Sequence, residues 1–500
     1  MHLRQRRIMS AVARATHRAD VAVLGGGIAG LAAALALARS GRRVVVIERD
    51  EPPRGDDADG LFELWDRRGI AHFRQPHNFL GLARQVLLEH APDVLDAVLA
   101  LGATEHRQYQ LLPGETHADD EAFVSICARR PVFEAALRRA VDAEPGIDVR
   151  SNISVVGLVG ARRRDDGAIR ITGARTADGG EIAADLFVDA LGRTSKVLPW
   201  LLDLGARPPL ERRSECGLLY YSRHFRFLPG VEVPKLPALL RGPRAEIGFM
   251  AFAVFVEDNR TFCPVLTIPP WDRELRALKS EAGYMAAALS MPALVPWVHP
   301  DQSKPITRVL PMGSLQNLHR SLVVDGKPVA VGIEPVGDAL CHTNPTFAYG
   351  ASLSIHHGFT LAGVADRTDD PKAIALGFDD AVGADTAVRF DAVSAEDRDR
   401  LRLWGGEAID VRDPRDSMAL FLRLTAYPAG ARDAELFRAV ARRVNLLDPA
   451  DALQRDHALI ERAERIGREE GPQPPMGPTR AELLELVQRG LPSSSVAVES

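Results

Sequence analysis

The stretch Val21–Asp50 constrains the fold of this chain more than any other part of it. It begins with a short apolar run that has no polar face, as expected of a buried parallel strand. A glycine turn of the form G-x-G-x-x-G follows, made by Gly25, Gly27 and Gly30. An Ala/Leu-rich run then predicts a helix, and Val44–Ile47 predicts a second strand. The order strand, turn, helix, strand predicts the first unit of an α/β domain with a parallel sheet.

The spacing of these glycines has a specific use in nucleotide recognition. The first glycine allows the tight turn, the second lets a pyrophosphate approach the backbone, and the third lets the helix pack closely on the strand. The helix N-terminus offers free N–H groups to the phosphates. Glu48 ends the second strand about 20 residues past the glycines, where a carboxylate accepts from ribose hydroxyls. Together these features predict dinucleotide binding.

Two other interpretations of this stretch are a glycine-rich turn in an unrelated α/β domain and a membrane span. Residues 21–38 are nearly all apolar, as a span would be. Four glycines within six residues make a poor spanning helix, however, and a strand, turn and helix explain the same residues better. We therefore expect no integral membrane segment.

Composition excludes several classes of protein. With 500 residues the chain is long enough for two or more domains. A net charge of −5 gives no sign of a nucleic-acid partner. The four cysteines form no C-x-x-C pair, which argues against a disulfide framework and suits a reducing cytoplasm. His356-His357 has no second ligand pair at metal spacing, so we expect no metal site.

Alternating apolar and polar residues predict an antiparallel sheet within residues 215–270, with strands at Gly217–Phe227, Glu246–Val256 and Thr261–Ile268. Five aromatic residues of this sheet are expected, as a group, to line an apolar pocket: Phe225, Phe227, Phe249, Phe252 and Phe255. For any one of them, core packing is the commoner role. Residues 366–470 are helical and charged in pattern, and Arg480–Gln488 predicts one short amphipathic helix in the Pro/Gly-rich tail.

Three separated segments together resemble the FAD-dependent aromatic hydroxylases and epoxidases, the p-hydroxybenzoate hydroxylase-like superfamily. The segments are the glycine turn with Glu48, the run Asp185–Ser195, and Gly337-Asp338. The resemblance covers residues 19–365. Within the superfamily, Arg67–Ile70 and His77–Leu80 are most similar to bacterial monooxygenases related to squalene and polyether epoxidases.

The resemblance implies an α/β fold with a discontinuous, Rossmann-like FAD-binding domain, an antiparallel substrate sheet and a helical C-terminal region. We expect the FAD-binding domain at 19–75, 121–205 and 320–365, and the substrate domain at 76–120 and 206–319. The helical region would be 366–470. Residues 1–18 would form a disordered leader, with Met9 as an alternative start, and 471–500 a mostly disordered tail.

The resemblance also implies the residues that hold FAD. They are Gly25, Gly27, Gly30, Glu48, Arg49, Arg130, Gly337, Asp338, Pro345, Gly350 and Ala351. Glu48 would hold the adenosine ribose, Arg130 would contact the FAD chain, and Asp338 would bond to the ribityl or pyrophosphate region. Backbone N–H groups near Gly350 and Ala351 would face the pyrimidine end of the flavin ring and favour the reduced state.

The chain departs from the family pattern at four positions. Leu191-Gly192 stands where Asp-Gly is usual, with Asp189 two positions early, which weakens the case for nicotinamide contacts. Ala348 replaces a common Gly, and Tyr349 a common Gln. Cys341 stands where many relatives have His, and we expect a small buried residue there rather than a nucleophile.

The implied activity is insertion of one oxygen atom from O2 into an apolar or aromatic small molecule through a flavin hydroperoxide. Electrons would come from NAD(P)H or through a separate flavin reductase, and secondary metabolism is a suitable setting. Epoxidation needs no protein nucleophile, whereas phenol hydroxylation gains from a base. The candidate catalytic residues are His342, Tyr349 and His224.

Other functions are compatible with the same motifs. A reductase of the geranylgeranyl reductase type shares the fold. A flavin-dependent halogenase is disfavoured, because the chain has no W-x-W-x-x-P signature and no lysine before Lys196. A nicotinamide-only dehydrogenase leaves Gly337-Asp338 unexplained. A non-enzymatic flavin-binding or regulatory protein also remains open, because of Leu191 and Ala348.

Overall fold

The computed structural model describes residues 19–234, 243–469 and 476–489. The predicted leader 1–18 lies outside the described residues, as do residue 470 of the predicted helical region and 471–475 and 490–500 of the predicted tail. The amphipathic helix predicted within that tail is present at Arg480–Arg489. Its Leu483 and Val487 are buried against the core of the antiparallel sheet, so this part of the tail is docked on the molecule.

An eight-stranded sheet is built around the glycine-turn stretch. The first strand, Ala19–Leu24, pairs in parallel with Val44–Ile47 on one side and Glu181–Asp189 on the other. Val44–Ile47 in turn pairs in parallel with Ile147–Arg150. The other strands are Val155–Arg162, Ile169–Thr176, Ala330–Val331 and Ile333–Pro335. Parallel pairing buries both faces of the central strands, which explains their continuous apolar sequence.

The helix after the glycine turn, Ile28–Arg39, is buried along almost its whole length. It packs against the helix Tyr349–Ala365, which belongs to the last part of the predicted FAD-binding domain. The two helices approach very closely at Gly358, because a Cβ there would lie 2.6 Å from the backbone nitrogen of Ala33. Small residues on both helices therefore join segments that are more than 300 positions apart in the chain.

A seven-stranded antiparallel sheet is inserted between the parts of the first sheet. The strand Thr261–Ile268 is present as predicted. The predicted strand 217–227 is two strands, Leu219–Ser222 and Phe225–Phe227, and 246–256 is divided at Gly248, whose φ is +84°. The remaining strands of the sheet are Arg244–Glu246, Ala251–Val256, Ser303–Pro305 and Leu310–Met312.

The two faces of the antiparallel sheet have different partners, and this corrects the predicted aromatic pocket. Phe225, Phe227 and Phe252 face away from the first sheet, where they pack with Trp297 and the helix Glu281–Ser290, and Phe249 packs against the same cluster. Of the five, Phe255 alone faces the other side. Alternation along the strands sends only every second side chain to the face that borders the cavity described below.

Smaller sheets and helices complete the fold. The sheets are Leu210–Glu215 with Gln316–Ser321 and Cys341–His342, Thr104–Arg107 with Val124–Cys127, and Val323–Val324 with Lys327–Pro328. The helices up to residue 300 include Ala58–Leu64, Gly81–His90, Pro92–Ala100, Arg130–Ala143, Val197–Asp203 and Val295–Val298. The C-terminal helices include Pro371–Trp404, Met418–Phe421, Tyr427–Ala429, Ala434–Val444, Ala452–Arg455 and His457–Glu469, with a π-helix at Leu422–Ala426. The predicted fold class is confirmed.

Among the described helices, none combines the length and apolar character needed to cross a membrane. The helix after the glycine turn has only 12 residues, which is too short for the hydrocarbon core of a bilayer.

Candidate active site

A cavity of about 700 Å³ lies where the parallel strands end and the antiparallel sheet begins. The strand ends at Ile47 and Ala190 contribute to one part of its wall. Tyr220, Phe255 and Met312 of the antiparallel sheet contribute to another. Ligands of α/β sheets bind at the carboxyl ends of the strands, and this volume is typical of a small-molecule pocket.

Nine of the eleven predicted cofactor residues line this cavity: Gly25, Gly27, Glu48, Arg49, Arg130, Asp338, Pro345, Gly350 and Ala351. The other two have packing roles. A Cβ at Gly30 would lie 1.9 Å from the carbonyl oxygen of Gly25, so the helix can approach the strand only without a side chain there. Gly337 has φ +56°, and a Cβ would lie 2.7 Å from that of Ala29.

The glycine turn leaves a bare backbone wall at Gly27. A Cβ at this position would meet only Arg130 and Ile70, at 3.8 and 3.9 Å, so it would point into the open cavity. Gly27 is also the N-cap of the first helix and has no side-chain cap. Exposed backbone at a helix N-terminus is the arrangement that binds a phosphate group.

Beside the turn lies a buried group of charges, here called the arginine–carboxylate cluster: Arg67, Arg130, Glu48, Asp50 and Glu134. Arg67 donates to Glu48 at 2.7 Å and to Asp50 at 3.1 Å, and it also pairs with Glu134. Arg130 donates to Glu134 at 2.9 Å. Two guanidinium groups thus hold three carboxylates away from water, which requires close pairing.

Glu48 has protein partners as well as access to the cavity. Its carboxylate accepts from the backbone nitrogens of Gly26 at 2.6 Å and Asp50 at 2.8 Å. These bonds fix the carboxylate at the strand end, where the sequence predicts the ribose. Each carboxylate oxygen carries two lone pairs, so acceptor capacity remains for a hydroxyl group of a ligand.

Polar atoms without protein partners face the cavity at its other wall. Asp338 pairs with Nδ1 of His342 at 3.0 Å. Burial raises the pKa of Asp338, but His342, His72 and Arg130 outweigh burial and hold it well below its usual range. Among the described residues, Nε2 of His342 and Oγ1 of Thr343 are buried and have no hydrogen-bond partner. Buried polar atoms are nearly always paired, so these two atoms fit a polar cofactor in this cavity.

The loop predicted to cover the flavin has an unusual backbone at Ala348. Its φ of +57° is left-handed, a conformation that costs a residue with a Cβ about 1–2 kcal/mol and favours glycine. The common Gly of the family is therefore explained by the geometry, and this chain keeps the conformation without it. Asn344 secures the loop, because its side chain accepts from the nitrogen of Thr346 and from Tyr220 Oη.

The middle motif is organised by Asp189, at the end of its strand. Its carboxylate accepts from the nitrogen of Leu191 at 3.1 Å and from Oγ of Ser195 at 2.7 Å. Asp189, which stands two positions before the usual acid of the family, thus holds the turn Leu191–Ser195 through hydrogen bonds at both of its ends. Burial raises its pKa to about 6, and the two hydrogen bonds offset only part of that effect.

We expect Asp189→Asn to change how stability depends on pH. The native pKa of about 6 exceeds the ordinary value of 3.8. At a pH between these two values, the carboxyl group is protonated in the native state and ionised in the unfolded state. Stability from this group therefore falls as the pH rises through that window. Between pH 4.5 and 7.5 the variant should gain about 2 kcal/mol relative to the wild type. Urea unfolding at both pH values measures this, and the surface variant Asp203→Asn should show no such change.

Of the three candidate catalytic residues, only His342 lines the cavity. Tyr349 lies in a smaller pocket beside it, and burial raises its pKa to about 12. His224 is fully buried behind the wall, where it pairs with Glu257 at 2.9 Å and with the carbonyl of Arg74 at 2.8 Å. It anchors the segment that carries Gln75 and does not reach the cavity. Cys341 is buried as expected, and burial raises its thiol pKa to about 12.

Three further residues that line the cavity were not predicted as site residues: Arg67, His72 and Gln75. Nε2 of His72 accepts a hydrogen bond from Arg130 at 2.9 Å. The His72 ring stacks on the ring of His77, with 5.6 Å between the ring centroids. Burial and the Arg130 charge hold the pKa of His72 well below its usual range, so its imidazole is neutral. The sequence signal is the clustering of Arg67, His72, Gln75 and His77 within eleven residues. Of these, only Arg67 and His77 entered the sequence analysis, as part of the family resemblance.

Comparisons with known proteins agree with this geometry. The family model for FAD dependent oxidoreductases matches residues 20–195. Protein Rv3254 of Mycobacterium tuberculosis is 28% identical over 363 residues, which cover 66% of this chain and 70% of that protein.

Solved structures with the same fold are less similar in sequence. The flavin-dependent brominase Bmp2 has a TM-score of 0.60 and 15% identity, and the match covers 91% of this chain and all of that one. PqsL of Pseudomonas aeruginosa, named "a probable FAD-dependent monooxygenase", has a TM-score of 0.52 and 17% identity, covering 78% of this chain and 99% of that one. The match at residues 20–195 supports the predicted FAD-binding segment, and the solved structures share the predicted fold. The monooxygenase activity and the squalene and polyether epoxidase branch stay predictions.

Proposed function

We propose, from the premise that this chain is an FAD-dependent oxidoreductase, that it is a monooxygenase acting on an apolar or aromatic small molecule. The observation that carries this proposal is the mixed wall of the cavity. Glycine backbone, Arg130 and Asp338 contribute polar groups suited to a dinucleotide. Tyr220, Phe255 and Val265 contribute an apolar surface suited to a substrate.

We assign the polar wall to FAD. Glu48 and Arg49 would hold the adenosine, Gly25, Gly27 and Arg130 the pyrophosphate region, and Asp338 the ribityl chain. His342 and Thr343 follow Asp338 by four and five positions, and their unpaired atoms would gain hydrogen-bond partners from the ribityl chain. Pro345, Gly350 and Ala351 would cover the flavin ring.

When bound, FAD would supply the redox chemistry with O2, which the protein groups cannot supply themselves. The protein would hold the substrate and keep water out. The sheet face made by Tyr220, Phe255 and Met312 is largely apolar, and such a wall would keep water from the substrate. Tyr220 Oη donates to Asn344 at 2.9 Å, so the sheet and the covering loop are held together at this wall.

We propose the same domain division as the sequence predicts, with the FAD-binding domain interrupted by the substrate sheet. NAD(P)H, directly or through a separate flavin reductase, is the proposed electron donor. A cytoplasmic role in secondary metabolism is proposed as well. The four cysteines are buried and none of them forms a disulfide, which supports a reducing compartment.

The test is a spectrum of the purified protein, followed by anaerobic titration with NADPH and NADH. We expect a yellow protein with one FAD per chain, whose flavin absorbance bleaches on reduction and returns with oxygen. A protein that stays colourless after reconstitution with FAD would rule out the proposal. Reduction without oxygen consumption would favour the reductase alternative.

A flavin-dependent halogenase is the second candidate, because Lys196, the first lysine of the chain, lines the cavity. Its position beside the buried Ser195 places it on the wall of the middle motif. Turnover with bromide in the buffer distinguishes the two functions. A halogenase yields brominated product, whereas a monooxygenase yields only oxygenated product.

Gly27→Leu should abolish FAD binding and leave the fold intact. The new Cβ has room, but the rest of the leucine side chain would occupy the space assigned to the pyrophosphate. We expect at least a 100-fold weaker FAD affinity in fluorescence titration, with an unchanged far-UV circular dichroism spectrum. Gly363→Leu is the matched control, because a Cβ at this helical glycine meets nothing within 4 Å. Unchanged FAD affinity in Gly27→Leu would contradict the assignment of the glycine turn.

A further inference from the structure

We propose that the substrate carries a carboxylate, and that the guanidinium of Arg244 binds it in a side pocket of the main cavity. This inference rests on the proposed function and specifies the class of its substrate. Arg244 begins the strand Arg244–Glu246 at the edge of the antiparallel sheet.

The side pocket adjoins the main cavity at the covering loop. It has a volume of about 70 Å³ and shares Asn78, Phe255 and Ala348 with the wall of the larger cavity. Its other lining residues include Arg244, Phe347 and Tyr349. A molecule that lies on the sheet face at Phe255 can therefore extend one end into this pocket.

Arg244 is the charged residue of this lining, and its guanidinium has no ion-pair partner within the described part of the chain. The neighbouring acids already have partners. Glu396 accepts from Arg423 at 2.8 Å, and Glu246 accepts from Nε1 of Trp404. Glu396 and Glu246 therefore interact with Arg244 only through space, and neither makes a direct ion pair with it.

Arg244 keeps its charge at neutral pH. Burial, with a smaller effect from the nearby Arg423, lowers its pKa to about 10, which still leaves the group protonated at pH 7. Other enclosed arginines of the protein, such as Arg67 and Arg129, are fully engaged with carboxylates. A partly buried charge without a partner is unfavourable for folding, so its position in a pocket indicates a ligand of opposite charge.

The size and chemistry of the pocket select a carboxylate. A space of about 70 Å³ is far below that of a whole drug-sized ligand, so only one end of the substrate enters it. One guanidinium pairs with one carboxylate through two parallel hydrogen bonds. Phe347, Tyr349 and Phe255 around it are aromatic, which suits an apolar or aromatic body. The substrate class is thus an apolar or aromatic carboxylic acid.

The test compares carboxylates with their neutral amides on the FAD-loaded protein. The probes are 2-naphthoate with 2-naphthamide and decanoate with decanamide, and the dissociation constants come from calorimetry and from the flavin absorbance change. In the wild type at least one carboxylate should bind 10-fold more tightly than its amide. Arg244→Ala should weaken that carboxylate at least 10-fold and change the amide less than 3-fold. Arg213→Ala, at a half-exposed arginine of the strand Leu210–Glu215, should change neither.

Further outcomes separate this inference from the proposed function. If FAD binds but both carboxylates bind no better than their amides, or if Arg244→Ala weakens acid and amide equally, the inference is overturned and the proposed function stands. If FAD does not bind, the proposed function fails, and calorimetry on the FAD-free protein decides the carboxylate site by the same criteria.

Arg244→Leu checks the fold: without ligand, its thermal midpoint should equal or exceed that of the wild type, because an unpaired charge is removed. A lower midpoint would show a structural role and contradict the inference.

Discussion

Arg67→Met is expected to lower the free energy of unfolding by about 3–5 kcal/mol, because it removes one partner from a buried charge network. Arg67 pairs with Glu48, Asp50 and Glu134, and all three carboxylates are nine-tenths or more buried. Arg130 remains for Glu134, but Glu48 and Asp50 lose their only ion pair among the described residues. Urea unfolding of the FAD-free protein, followed by circular dichroism at pH 8, measures the change.

Two further observations identify the cause of this loss. Buried carboxylates without a partner have raised pKa values. At lower pH they become protonated, and the cost of burying their unpaired charge in the variant disappears. The difference from the wild type should therefore shrink between pH 8 and pH 5. Arg54→Ala, at an exposed arginine paired with Glu51, should stay within about 0.5 kcal/mol of the wild type. An equal effect of both variants would contradict a special role for the arginine–carboxylate cluster.

Gly30→Ala is the second substitution with a large expected effect. It should destabilise the fold and also abolish FAD binding. The added Cβ would lie 1.9 Å from the carbonyl oxygen of Gly25 and 3.1 Å from Val23, so the helix must move off the strand. The contact is with backbone, which cannot rotate away as a side chain can. We expect a loss of about 3 kcal/mol, the upper end of the usual cost of overpacking a core. Thermal unfolding and the flavin absorbance of the purified protein test both effects.

The matched control for this prediction is Gly363→Ala. That glycine lies exposed in the helix Tyr349–Ala365, and a Cβ there meets nothing within 4 Å. The substitution should stabilise the protein by up to about 1 kcal/mol, because alanine is the better helix former. If Gly30→Ala were as well tolerated as Gly363→Ala, this result would contradict the close contact between the helix and the strand at Gly30.

Comparison of the two substitutions shows where sequence reasoning was sufficient. The role of Gly30 follows from its place in G-x-G-x-x-G, because the motif describes contacts between neighbouring elements. The role of Arg67 does not follow from any local pattern. Its partners Glu48 and Glu134 lie 19 and 67 positions away and meet it only after the strand, the loop and the helix Arg130–Ala143 have packed together.

The aromatic residues of the antiparallel sheet show the opposite case. Their alternation correctly predicted strands, but it could not say which face borders the cavity. Phe225 and Phe252 pack on the outer helices, and Phe255 borders the cavity. The split of the predicted strands at residues 223–224 and 247–250 shifts which side chains share a face. A single interruption is enough, because side-chain direction reverses at every residue of a strand.

The fold class, the first βαβ unit and most of the residues that line the polar wall could be predicted from sequence alone. Those features depend on short-range periodicity and on glycines whose conformational need is local. Only the tertiary structure decided that Glu48 lies in a buried charge network, that His224 lies outside the cavity, and that Arg244 faces a side pocket. These facts depend on contacts between distant segments. Burial and pairing, which set the charge state and the accessibility of a side chain, arise only when those segments pack.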